Sequence, residues 1–167
     1  GLDDPIHVGY LKWLWQVLNG NFGYSQEYHL PVWELIGGRL WNTLILTVTA
    51  FVLGKALAIL IGAYSARHPY SLLDYSAMGF AFFGFSVPGF WLGLTLIIVF
   101  SVYLQWFPAS VVASAHLAGS GWEIFHDRAQ HLVLPVITLA VSETASTTRY
   151  MRSSLLEVIR QDYITNA

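Results

Sequence analysis

The stretch that decides the fold is Tyr75–Leu104, YSAMGFAFFGFSVPGFWLGLTLIIVFSVYL. It contains no Asp, Glu, Lys or Arg, and that gap in charge continues to Trp122. A helix needs about 20 consecutive apolar residues to cross a bilayer core. A surface helix of a soluble domain keeps one charged face, and this stretch keeps none. It reads as a membrane span.

Composition agrees. Of 167 residues, 55% are hydrophobic and 11% charged, against about 25% charged in soluble chains. A deficit concentrated in blocks marks a polytopic membrane protein. The net charge of -2 gives no footprint for nucleic acid. With no cysteine, a disulfide framework and thiolate metal sites are excluded. Seven tryptophans and nine tyrosines suit a protein with two water–lipid boundaries to populate. The chain starts on Gly1 with no cleavable signal, so an excerpt from a longer protein, cut at both ends, is expected.

Upstream lies WNTLILTVTAFVLGKALAILIGAYSA, Trp41–Ala66, a second span interrupted by Lys55. Downstream, residues 105–130 read as a polar connection. HLVLPVITLAVSETASTTRYM, His131–Met151, reads as a third span whose strongly apolar part covers only Leu132 to Val141. Its Ser, Thr and Ala suit burial among other helices, where small residues permit close approach and interhelical hydrogen bonds. Residues 1–38 are mixed in polarity. DDPIHVGYLKWLWQVLNG reads as a short helix capped by Asp4, with Pro5 in its first turn and Gly20 at its end. Its stripe of Tyr10, Trp13, Leu14 and Val17 fits the membrane interface and equally a protein surface.

The expected fold class is all-α: a transmembrane helical bundle with spans of about 41–66, 75–104 and 131–151. An extracytoplasmic amphipathic helix precedes it, and a cytoplasmic segment at 152–167 follows. Orientation rests on basic residues at span ends. Arg67 in the short connection and Arg149, Arg152 and Arg160 after the third span outweigh Lys12, Arg39 and Arg128, which are spread over longer segments. The side holding residues 67–74 and 149–167 is therefore the cytoplasm. A further span before Gly1 is implied.

Catalytic motifs are missing. In HDRAQH, His126 and His131 stand five apart, whereas a helical zinc pair uses a spacing of four. A polar loop is the better reading, with no metal. Gly54-Lys55 lacks the upstream glycine and the following Ser/Thr of a phosphate loop. No catalytic residue is assigned, and energy for work must come from elsewhere.

Two charges lie inside spans. A lysine at mid-helix costs about 2.5–3.5 kcal/mol on insertion scales. At a rise of about 1.5 Å per residue, Lys55 stands roughly 18 Å above Arg67, and Glu143 stands roughly 9–14 Å above Arg149 and Arg152. The mismatch is near the reach of a lysine stem, so the two are expected to pair or share a polar path. The alternative is that Ser, Thr and backbone groups satisfy each separately, with Ser142 among the interhelix polar candidates. In the second span, Pro88 removes a backbone hydrogen bond and bends the helix, while Gly89 and Gly93 form a small-residue packing face. Pro135 is the corresponding kink candidate in the third span.

The tail carries SLLE, Ser154–Glu157, which fits a capping box and predicts a new helix from near Leu155. Leu155, Leu156, Val158, Ile159 and Tyr163 form its apolar face, with Asp162 at the edge and Glu157 opposite. Its balanced charge favours a protein partner over lipid headgroups.

These residues together resemble a family. The chain is similar almost end to end to the permease subunits of bacterial ABC importers of the dipeptide/oligopeptide/nickel group. GLDDPIHVGYLKWLWQVLNGNFGYS and PVWELIGGRLWNTLILT look like its post-first-span segment. FSVPGFWLG resembles its Ser-x-Pro-x-Phe-x-x-Gly stretch, and HLVLPVITLA its Leu-Pro stretch. TRYMRSSLLEVIRQDYITNA is similar to the run into the cytoplasmic ATPase-docking motif, E-A-A-x-x-x-G. Thr165, Asn166 and Ala167 stand where E-A-A would be, and only Ala167 matches; the chain stops before the glycine. Lys55 is a departure, since a small or apolar residue is expected there.

The resemblance implies a type I importer in the bacterial inner membrane. A second permease subunit completes the path, and an extracytoplasmic solute-binding protein delivers peptides or related small solutes. ATP and Mg are bound by cytoplasmic ATPases. ATPase coupling falls to Leu155, Leu156, Glu157, Ile159, Asp162, Tyr163 and Ala167. At least two later spans are expected. The reading from another class is a secondary transporter or channel that binds a coupling ion at Lys55 and Glu143.

Overall fold

The computed structural model describes residues 5–110, 120–159 and 161. The elements are α1 (Ile6–Leu18), α2 (Val32–Arg67), α3 (Leu72–Ser86), α4 (Gly89–Leu96), a π-helical segment (Ile97–Tyr103) and α5 (Gly121–Ile159). Among the described residues, extended pairing is limited to one isolated bridge, Tyr24 to Pro31. The all-α class holds. Residues 1–45 and 46–167 form two compact units.

In the first unit, α1 has no buried residue. Pro5 sits at its N-cap rather than inside the first turn, and Asp4 lies outside the described residues. Gly20 ends the helix as expected. At φ 81° it takes the left-handed conformation of a Schellman motif: the Asn21 amide donates to Gln16 O, and the Gly20 amide to Val17 O, both at 2.9 Å.

The second unit is built on α5. Ala50, Gly54, Ala58, Gly62 and Ala66 recur at every fourth position of α2, and all are buried. Fourth neighbours share one helix face, so α2 presents a seam without bulk. On α5, Ala140, Thr144 and Thr148 are buried at the same spacing. A Cβ placed on Gly54 would lie 3.3 Å from Ala140 O, and one on Gly62 would lie 3.0 Å from Thr148 O. Equal steps of eight residues on both helices make them parallel. On α3, a Cβ on Gly84 would meet Ala145 Cβ at 3.0 Å, while Asp74 meets Arg152; α3 is therefore antiparallel to α5.

The buried interior consists largely of small side chains, and the bulky ones face outward: Phe51 is 56% exposed, Leu60 68% and Phe90 75%. Water would penalise that surface. Lipid or neighbouring helices would not, because close packing of small residues, rather than burial of large ones, holds membrane helices together.

Several expectations require correction. The helix that holds the first expected span, α2, begins at Val32, ahead of Trp41, and contains an 18-residue window of mean hydropathy 2.4. The second stretch is not one bent helix. It breaks at Val87-Pro88, and its halves Leu72–Ser86 and Gly89–Tyr103 lie at 102°. The pyrrolidine ring fixes φ and supplies no amide, and it pushes Val87 into extended backbone, so Pro88 starts a new helix as its N-cap. A Cβ placed on Gly89 would meet nothing within 4 Å, whereas one on Gly93 would lie 3.5 Å from the Thr138 methyl. The packed glycines are thus Gly84 and Gly93, one on each side of the break. Residues 121–130, expected in a polar connection, are the first turns of α5. Pro135 lies inside α5, and the helix continues through it. By length and composition α5 does not qualify as a span, while α2 and the bent pair do; its polar face is spent on contacts with α2 and α3.

Most consequential, α5 runs unbroken to Ile159, so no new helix starts near Leu155 and Ser154 caps nothing. The same pattern does cap α3. In SLLD, Ser71–Asp74, the Ser71 hydroxyl accepts from the Asp74 amide at 3.2 Å. Ser71→Ala should therefore cost about 1 kcal/mol, whereas Ser154→Ala should stay within about 0.5 kcal/mol. Thermal denaturation of the two purified variants distinguishes them, and equal shifts would contradict the assignment.

Candidate functional site

Within the helix packing, α2 and α5 bring their charged residues together. Gly54 has no side chain, so Glu143 Cβ can stand 3.2 Å from where a Cβ would be, beside Lys55. Lys55 Nζ and Glu143 Oε1 form an ion pair. Thr147 bridges it: its Oγ1 accepts from Lys55 Nζ at 2.9 Å and donates to Glu143 Oε1 at 3.3 Å. The ammonium also lies 5.5 Å from the centre of the Phe51 ring, within cation–π range. One residue along, the Thr144 hydroxyl donates to Gly54 O at 3.2 Å between the helices.

The pair is not sealed, as each side chain keeps 35% of its surface exposed. A charge that is half-solvated and held by an opposite charge, a hydroxyl and a ring is affordable inside a bundle. Ser142, the interhelix candidate, is exposed and takes no part in this contact. Thr147 and Thr144 do its work. They follow Glu143 by four and one positions, so the helical repeat put Thr147 on the Glu143 face.

A second polar contact was not foreseen. Arg152, counted above only among the basic residues that set orientation, donates from Nε to Asp74 Oδ1 at 2.6 Å and from Nη2 to Asp74 Oδ2 at 2.7 Å. Asp74 is 2% exposed. Both residues lie just outside the spans expected from the sequence, Asp74 in the first turn of α3 and Arg152 in the last third of α5. The Arg152 guanidinium, aided by the Tyr70 amide, holds the Asp74 carboxyl below the usual carboxylate range, against the opposing effect of burial. The sequence signal was faint: two lone charges 78 residues apart.

Arg149 lies over Phe85 and Phe82 of α3, at 4.8 and 5.7 Å from the ring centres. His131 is buried and hydrogen-bonds through Nδ1 to Asp127 O at 2.8 Å, a structural use for a ring considered as a metal ligand. At the end of α5, Leu155 and Leu156 are half-buried, while Glu157, Val158 and Ile159 are exposed. Asp162, Tyr163 and Ala167 lie outside the described residues.

The arrangement is small-residue helix packing with polar contacts across it, which suits helices held together in a membrane. Residues 58–167 match the family model for the binding-protein-dependent transport system inner membrane component. The chain belongs to that family. The all-α membrane bundle expected from the sequence is the fold of these permeases, and the resemblance seen in FSVPGFWLG and its neighbours is thereby accounted for.

Curated relatives match along the whole chain. The oligopeptide transport system permease protein AppB of Bacillus subtilis is 45% identical over all of this chain and 52% of its own length. A putative peptide permease protein of Brucella suis is 38% identical over all of this chain and 51% of its own. The dipeptide transport system permease protein DppB of Escherichia coli K12 is 34% identical, again over the whole chain and 54% of its own length. The chain spans about half the length of these relatives.

Proposed function

We propose that this chain is part of the membrane-spanning core of a peptide-importing ABC permease, driven by ATPases that dock on the cytoplasmic side. The observation that carries the reading is the match, along the full chain, to permeases named for oligopeptide and dipeptide transport. On this reading α2, the bent α3–α4 pair and α5 contribute to the path. A second permease subunit completes it, an extracytoplasmic binding protein delivers peptide, and the complex sits in a bacterial inner membrane. ATP and Mg belong to the partner ATPases, in keeping with the lack of a nucleotide motif in this sequence.

The end of α5 is the docking element. Because the helix is continuous from Gly121 to Ile159, a displacement of its last turns is carried into the membrane without a hinge. Leu155 and Ile159 are one helical turn apart and share a face. Cysteines placed there, in the full-length protein assembled with its ATPase, should cross-link to that partner. Clean labelling of both by water-soluble thiol reagents in the assembled complex would contradict the assignment. The energy source is tested separately: peptide uptake into proteoliposomes should stop when ATP is omitted. Uptake that persists without ATP but collapses with the proton gradient would instead make Lys55 and Glu143 an ion-coupling site.

A further inference from the structure

The Asp74 carboxylate is the meeting point of three elements. Its Oδ1 accepts from Arg152 Nε, and its Oδ2 accepts from Arg152 Nη2 and, at 2.9 Å, from the Tyr70 amide. Tyr70 has φ 66°, a left-handed conformation that persists in a non-glycine residue only when its surroundings over-determine it. The turn after α2, the first turn of α3 and the side of α5 are thus fastened at one buried group. Elsewhere α3 meets α5 through contacts without paired charge, at Gly84 with Ala145 and at Arg149 with the Phe85 ring. Beyond Arg152 the helix continues about 10 Å at 1.5 Å per residue to Ile159, which is exposed.

We propose that the Asp74–Arg152 fork is a coupling pin: Asp74 and Arg152 are positioning residues that make α3 follow α5 when a partner displaces the exposed end of that helix. The proposal rests on the importer reading above. Two parallel bonds from a planar guanidinium fix orientation as well as distance, so a tilt of α5 is passed on as a tilt of α3. A lysine at the same place would keep the charge and lose the fork. Motion delivered to α3 arrives at the broken joint at Val87-Pro88, where the 102° bend makes α4 a separate rod that packs on α5 at Gly93 and Thr138.

The test uses the full-length permease, assembled with its ATPases in proteoliposomes, carrying Asp74→Asn or Arg152→Lys. Uptake of a labelled peptide and ATP hydrolysis are read on the same amount of assembled complex. Both variants should lose at least ten-fold in uptake, and hydrolysis should continue but no longer rise when peptide-loaded binding protein is added. A purely structural bond predicts something else, namely uptake and hydrolysis falling together with the yield of complex. That result, failure of both variants to assemble, or wild-type uptake in either, overturns the pin. Failure of the importer reading is seen separately, in the unaltered protein, as uptake independent of ATP.

Discussion

Gly62→Leu is expected to prevent stable assembly. A Cβ at that position would lie 2.8 Å from Met151 Cβ and 3.0 Å from Thr148 O. The first is already closer than side-chain carbons approach, and the second is backbone, which cannot rotate away. Overpacking of a close-packed interior costs about 1–3 kcal/mol and sometimes more. Here the upper end applies, because relief requires α2 to move off α5 along the whole small-residue seam from Ala50 to Ala66. Separation of the helices would also break the Thr144 bond to Gly54 O and the Lys55–Glu143 pair. Gly79→Leu serves as the control, since nothing lies within 4 Å of its Cβ position. Membrane yield and thermal inactivation of the detergent-extracted full-length protein report the difference. Equal behaviour of the two variants would mean that the seam is not closed as described.

The second large effect concerns the intramembrane charges. Glu143→Leu leaves the Lys55 ammonium without its counter-charge, and Lys55→Met does the same to the carboxylate. Breaking a buried pair by removing one partner costs about 3–5 kcal/mol. The third of each side chain that remains exposed brings the expected loss nearer to 2–3 kcal/mol, the lower end of insertion costs for a mid-membrane charge. Removing both charges together should cost much less than either single change, since no stranded ion remains. The reversed pair, Lys55→Glu with Glu143→Lys, should recover transport lost in each single reversal. The stabilities of the wild type, the two single variants and the double variant form a double-mutant cycle. Additive losses would show that the charges do not act as a unit.

Two nearly identical tetrapeptides show where sequence stops informing. SLLD at Ser71 and SLLE at Ser154 both satisfy the capping-box pattern, yet only the first caps a helix. Upstream of Ser71 stand Pro69, which cannot continue a helix, and Tyr70 with its left-handed backbone. Upstream of Ser154 stands an unbroken helix, whose side is fastened to α3 through Arg152 two residues earlier. The motif is local, and the decision was taken by neighbours that the motif does not contain. Pro88 shows the same limit in degree: its chemistry foretold a disturbance, but a bend and a complete break follow from the same residue, and the packing of Gly84 and Gly93 on α5 selects the break.

What the sequence determined by itself is the solvent and the class. Thirty residues from Tyr75 to Leu104 without a formal charge cannot stay in water, and their backbone amides then have to be satisfied within helices. It also put Lys55 and Glu143 within reach of each other through the helical rise, but left pairing and separate satisfaction both open until the structure showed the pair. The tertiary structure alone decided which small residues meet, that Thr147 rather than Ser142 completes the polar contact, and that Asp74 holds Arg152. Those choices depend on how α2 and α3 are rotated against α5, and rotation is fixed by atoms touching across helices, which lie up to 92 positions apart in a one-dimensional string.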